Sequence, residues 1–198
     1  MTVLNIHERL NRIENRIRND PFVSNKSLSC GNGGYIFDYD PEDELVVRDF
    51  ISKFGSRGDL GFDIQVIDLF DDIMIPCIEE EGYLQDVFDI EEGCRTEGLD
   101  SMKDAMGQLF QQGGKDDIFV NYITEHAVKG NVVFITGVGK CHPFIRSHMI
   151  INNFNSKMCG VKTVLFYPGV YNFEELKLFG TISGGNYYRS MVLVERSE

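Results

Sequence analysis

A chain of 198 residues with 42% hydrophobic content can bury one substantial core, and its length fits a single domain better than two. A formal charge of -12 and a pI near 4.7 exclude a general nucleic-acid binder, because such a surface repels phosphates. The longest apolar runs, such as Val132 to Ile135, fall far short of the ~20 residues a membrane-crossing helix needs.

The first twenty residues mix Arg9, Arg12, Arg16 and Arg18 with Glu8 and Glu14, unlike a secretory leader. Ile6, Leu10, Ile13 and Ile17 recur at spacings of three and four, which predicts a helix with one apolar stripe ending before Pro21. That stripe either packs on its own domain or docks another protein. Residues 22–34 are rich in Ser, Asn and Gly and read as a loop into a first strand, Tyr35 to Tyr39. Asp40, Pro41 and the acids Glu42, Asp43 and Glu44 predict a capped helix start. Leu45, Val46, Phe50, Ile51 and Phe54 supply its apolar face, and Phe62 to Phe70 follows as a second strand.

From Asp71 to Gly114 short helical patterns alternate with acidic clusters, which predicts a helical insertion. Asp116 to Val128 is a further helix. Asn131 to Thr136 and Lys162 to Tyr167 are apolar runs of the kind buried on both faces of a parallel sheet, with a helix from Pro143 to Met158 between them. Tyr187 to Val194 alternates and is expected at an edge. The order predicts one α/β domain over residues 1–198, a Rossmann-like, open, mostly parallel five-stranded sheet with helices on both faces.

Ligands of such sheets sit beyond the carboxyl ends of the strands, here after Tyr39, Phe70, Thr136 and Tyr167. Ile135-Thr-Gly-Val-Gly-Lys140 has the position of a phosphate loop, but Phe134 and Cys141 stand where a Walker loop needs glycine and a hydroxyl residue. Asp38 and Asp40 have the spacing of a phosphotransferase carboxylate pair, yet Asp40 has work as a helix cap and Pro41 follows it. Cys141, His142 and His148 bear metal- or thiol-type side chains without a second ligand pair. Five cysteines without a C-x-x-C pair read as free thiols of a reducing cytosol. The residues therefore point to a protein without a metal or cofactor, and not to an enzyme; the alternative is a nucleotide- or metal-dependent enzyme or sensor at the sheet's carboxyl edge.

Near the last strands Arg, His, Asn and Tyr are dense. Arg146 is placed to hold an anion or a partner's carboxylate bidentately, or else to pair with an internal acid such as Asp38. Phe144, Arg146, His148, Tyr187, Tyr188 and Arg189 form the candidate partner-binding set.

Tyr35-Ile-Phe-Asp-Tyr39 before an acidic helix, Phe134-Ile-Thr-Gly-Val-Gly139, Pro143-Phe-Ile-Arg-Ser-His148, Leu165-Phe-Tyr-Pro-Gly169, Leu176-Lys-Leu-Phe-Gly180 and Asn186-Tyr-Tyr-Arg189 together resemble the BrxB family of BREX phage-defence systems. The resemblance covers nearly the whole chain; Lys140-Cys-His142 departs from the small or apolar residues expected there. It implies a cytoplasmic bacterial protein that helps block phage replication and supports methylation of host DNA, acting as an assembly subunit without enzymatic activity. The implied partners are the alkaline-phosphatase-like protein PglZ and, through it, the methyltransferase PglX and the ATPase BrxC, with no direct nucleic-acid or membrane contact.

Overall fold

The computed structural model describes residues 3–19, 34–80, 82–95, 98–128, 131–145, 147–154, 162–173, 175–186 and 190–197. The first helix, α1 (Ile6–Asn19), opens on a reciprocal cap: the Glu8 amide donates to Asn5 Oδ1 (3.0 Å) and the Asn5 amide to Glu8 Oε2 (2.9 Å). Its stripe faces inward, with Leu10, Ile13 and Ile17 buried at roughly 2 kcal/mol each. The predicted stripe is thus spent on the chain's own sheet rather than on a partner.

The strand β1 (Tyr35–Tyr39) is buried along its whole length. A single 3-10 turn, Pro41–Asp43, leads into α2 (Glu44–Gly55), whose buried side chains are Val47, Ile51 and Phe54; Leu45, predicted on that face, is exposed. Asp40 does not cap with its side chain, which turns instead to Arg196. After β2 (Ile64–Asp68) a wide π-type turn, Leu69–Met74, runs into α3 (Ile75–Glu80). The helices α4 (Leu84–Cys94) and α5 (Leu99–Leu109) complete the predicted insertion, and α6 (Ile118–His126) follows, capped by Asp117 Oδ1 on the Val120 amide (3.1 Å).

The strand β3 (Val132–Thr136) falls as predicted, but α7 (Ser147–Phe154) starts four residues later than Pro143. Residues 137–145 fold into tight turns instead, with the Cys141 amide donating to the Gly137 carbonyl and the Ile145 amide to the Cys141 carbonyl. Val138, Cys141 and Ile145 are drawn into the core, and Pro143 has no amide hydrogen with which to continue a helical ladder. Ile145 therefore lies ahead of α7, outside the helix predicted from Pro143.

The strand β4 (Lys162–Tyr171) is twice the length of its neighbours. Lys162 to Pro168 lies in the parallel sheet, and Gly169 to Tyr171 pairs antiparallel with β5 (Glu175–Leu178), which pairs with β6 (Ile182–Asn186). Of the predicted final strand, residues 187–189 lie outside the described residues, and Met191–Val192 forms β7, pairing parallel with β1 at Tyr35 and Ile36. Among the described residues five strands form the parallel sheet in the order β2-β3-β4-β1-β7, and β5 and β6 bring the total to seven. The fold is the open α/β sheet the sequence predicts, with two strands more than expected.

Alternate side chains divide the core. Phe37, Phe134 and Phe166 point toward α1 and α2, whereas Ile36, Val133, Ile135 and Leu165 point toward the insertion, α6 and α7. Among the described residues no helix is long and apolar enough to cross a membrane.

Candidate functional site at the carboxyl edge of the sheet

Every parallel strand ends on the same rim, and there the chain sets two groups of charges. The first is built on Asp68, the last residue of β2. Its Oδ1 accepts from the amides of Phe70 (3.0 Å) and Asp71 (3.1 Å), and its Oδ2 from Thr136 Oγ1 (3.1 Å) and Lys140 Nζ (2.7 Å). Lys140 Nζ also donates to Asp71 Oδ2. Gly137, at φ 82°, lets the strand-three loop pass so close to Asp68 that an added methyl would overlap the carboxylate.

Burial pushes the Asp68 carboxyl up, but the Lys140 ammonium and the two amides outweigh it and hold the group below the usual carboxylate range. Burial likewise works against the Lys140 charge, and Asp68 and Asp71 overcome it, raising the ammonium above its ordinary value. Near neutral pH both are charged, so Asp68 is no proton donor and Lys140 no nucleophile. The lysine clips the loop after β3 to the turn after β2 and does not face an open phosphate cradle.

The second group centres on Asp38, which is buried. Arg9 Nη2 (2.9 Å) and Arg196 Nε (2.7 Å) donate to its two oxygens, and the Tyr171 amide adds a longer bond. Arg9 also donates to the Asp38 and Val194 carbonyls and lies over the Phe37 ring. Arg196 reaches Asp40 Oδ1 (2.7 Å) and the Gly169 carbonyl (2.8 Å). The carboxylate pair weighed as a phosphotransfer site is thus occupied by two guanidiniums. Asp38, the acid considered for Arg146, takes Arg9 and Arg196 as its described partners.

Between these groups a cleft of about 440 Å³ opens beside α2, lined by Tyr39, Glu44, Arg48, Val66, Asp68, Thr136 and Phe166 among others. Tyr39 donates to Glu44 Oε2 (2.5 Å), and Arg48 Nε to Glu44 Oε1 (2.6 Å). Burial, aided by Glu44, pushes the Tyr39 hydroxyl far up and keeps it a donor.

Of the six candidate partner-binding residues, Phe144 is half-buried against the core and its carbonyl accepts from the Gln112 side chain, and His148 is half-buried on the first turn of α7. Arg146, Tyr187, Tyr188 and Arg189 lie outside the described residues. Cys141 is fully buried, and burial, with Asp68 nearby, pushes its thiol up to about 12, which removes thiolate chemistry at neutral pH. His142 sits edge-on to Phe179 (5.8 Å), its imidazole pushed down by burial and by Lys103. Among the described residues no three His, Cys, Asp or Glu side chains converge to hold a metal ion.

Sequence reading missed Asp68, Arg9 and Arg196. Asp68 carried a signal, as an acid near the carboxyl end of the predicted second strand, where ligands of such sheets sit. Arg9 and Arg196 lie at opposite ends of the chain, and no spacing joins them to Asp38.

Fold and rim together define an open parallel α/β protein whose strand-end charges are paired with one another. The family model described as BREX protein BrxB matches residues 65–193, from β2 through the insertion and the Asp68–Lys140 cluster to the last strand. A BREX protein BrxB of Bacillus cereus (strain H3081.97) is 39% identical over 193 residues, covering 96% of this chain and 98% of the relative. Another, of Escherichia coli O9:H4 (strain HS), is 29% identical over 186 residues, covering 94% of this chain and 90% of that one. No solved structure matches the chain. The chain belongs to the BrxB family of BREX proteins, and membership carries a role in phage defence.

Proposed function

We propose that this protein is a non-catalytic adaptor of a BREX assembly, binding PglZ and through it supporting phage restriction and host DNA methylation alongside PglX and BrxC. The observation that carries this reading is the mutual neutralisation at the carboxyl rim: Asp68 with Lys140, and Asp38 and Asp40 with Arg9 and Arg196, at the position where an α/β enzyme keeps its reacting groups. A net charge of -12 adds electrostatic steering toward a basic partner face while repelling DNA. Phe144, Arg146, His148, Tyr187, Tyr188 and Arg189 are the residues assigned to contact.

Calorimetric titration into PglZ from the same gene cluster tests this. The expected result is saturable one-to-one binding that weakens as salt is raised, with Arg146→Ala lowering affinity by roughly tenfold while the protein stays folded. Absence of binding at high micromolar concentration overturns the PglZ assignment. The cleft beside α2 favours a second reading, a small-ligand sensor, and a rise in melting temperature with nucleotides or divalent metals would move the function there.

A further inference from the structure

Among the described residues every helix except α4 buries at least one side chain completely enough to count as core, and α4 buries none. Its inward stripe, Val87, Ile90 and Cys94, is half-buried, with Val87 and Ile90 resting on the core. Beside that stripe Leu84 and Phe88, one turn apart and so neighbours on one side of the helix, are 45% and 52% exposed. Glu91 and Glu92 follow a turn later on the same side, and both are exposed. An amphipathic helix of a finished domain puts its largest apolar groups inward; α4 instead extends its apolar arc into solvent and rims it with acid.

The charge is lopsided as well. Between Leu84 and Cys94 the acids Asp86, Asp89, Glu91 and Glu92 stand without a lysine or arginine. Over residues 79–104 ten acids face Arg95 and Lys103, so 26 residues hold a net -8 of the chain's -12. Lys103 is already engaged with Asp100 (2.9 Å). Among the described residues the four acids of α4 make no ion pair.

We infer that the exposed side of α4, Leu84 and Phe88 rimmed by Glu91 and Glu92, docks a protein partner that presents an apolar pocket bordered by lysines or arginines. Charge selects this occupant. A second copy of the chain, a nucleic acid or an anionic membrane would each meet the face with like charge, whereas a basic protein surface meets it with opposite charge. An aromatic anchor inside a charged rim is the usual anatomy of the energetic centre of such contacts. The inference deepens the adaptor reading by giving it a contact surface away from the carboxyl rim, and it rests on that reading for the choice of PglZ as probe.

The test uses the full chain in cells carrying the complete set of BREX genes, with two paired variants, Leu84→Ser/Phe88→Ser and Glu91→Lys/Glu92→Lys, read by phage plating and by melting of the purified proteins. The expected outcome is melting close to that of the unsubstituted protein, with phage plating rising by roughly tenfold or more in each variant. Should the serine variant melt far lower, the charge-reversed variant decides alone, since its side chains are solvent-facing. Full protection by the charge-reversed variant overturns the inference. Titrating the same proteins into PglZ separates the two readings: lost protection with unchanged PglZ binding, or with no PglZ binding by any form, leaves the α4 surface standing and assigns it to a basic surface of a BREX protein other than PglZ.

Discussion

Asp68 and Lys140 hold opposite charges at the end of β2, and their shifts make stability depend on pH at both extremes. A carboxyl held below 3.8 in the folded state contributes stability that is full above that value and is lost as pH falls through the folded one. An ammonium raised above 10.5 contributes stability that is full below 10.5 and is lost as pH rises through its folded value. Urea unfolding across pH should therefore show Asp68→Asn with a shallower acid limb and Lys140→Met with a shallower alkaline limb. Each should lose ~1–2 kcal/mol near neutrality, because the pair is only partly shielded from water. Limbs that superimpose on those of the unsubstituted protein would remove the clip from the account. Cys141 gives a simpler check: with its thiol up at about 12 and no exposed surface, iodoacetamide at pH 8 should leave it unmodified in the native protein and label it after unfolding. Of this rim Asp38, Asp40 and Lys140 were legible as candidates and Asp68, Arg9 and Arg196 were not, because which carboxylate each cation takes depends on long-range folding that spacing does not encode.

The elements divide by what stabilises them. Strands buried on both sides, such as Val132–Thr136, announce themselves as apolar runs, and α1 by its period. The strands β5 and β6 form because β4 runs on past the parallel sheet and offers its edge, so their cause lies outside their own sequence. A signal was present for β5, where Glu175, Leu176, Lys177 and Leu178 alternate with Leu176 and Leu178 buried. The turn that follows has positive φ at Phe179 (53°) and Gly180 (73°), a conformation suited to tight hairpins. The sequence Ile-Ser-Gly-Gly-Asn of β6 has almost no strand-forming residues. On β4, Gly169 faces Leu178 of β5 across the pair, and a methyl there would overlap the Lys177 carbonyl oxygen. Gly169→Ala should cost about 3 kcal/mol, read as a lower urea midpoint, by prising β5 from β4. An unchanged midpoint would mean that the two strands separate at little cost.

At the scale of the whole molecule, Asp38 is where the ends of the chain meet. Arg9 from α1 and Arg196 from the last residues converge on its carboxylate, and β1, which bears it, lies between β4 and β7. Replacing this buried carboxylate leaves the buried Arg9 guanidinium without its counter-charge, while Arg196 keeps Asp40, so Asp38→Asn should lose about 3 kcal/mol, a large share of a total stability of roughly 5–15 kcal/mol. Denaturant titration checks it, and a loss under about 1 kcal/mol would show that the arginines find other acceptors. The same junction dictates an order of events during synthesis. Arg196 follows Asp38 by 158 positions, so a ribosome delivers the second arginine roughly ten to thirty seconds after the acid it must reach. For most of that interval, until Lys162–Tyr171 is made, Tyr35–Tyr39 waits without either flanking strand, and the nascent chain carries an unzipped interior strand that a chaperone, or a neighbouring polysome, will meet first.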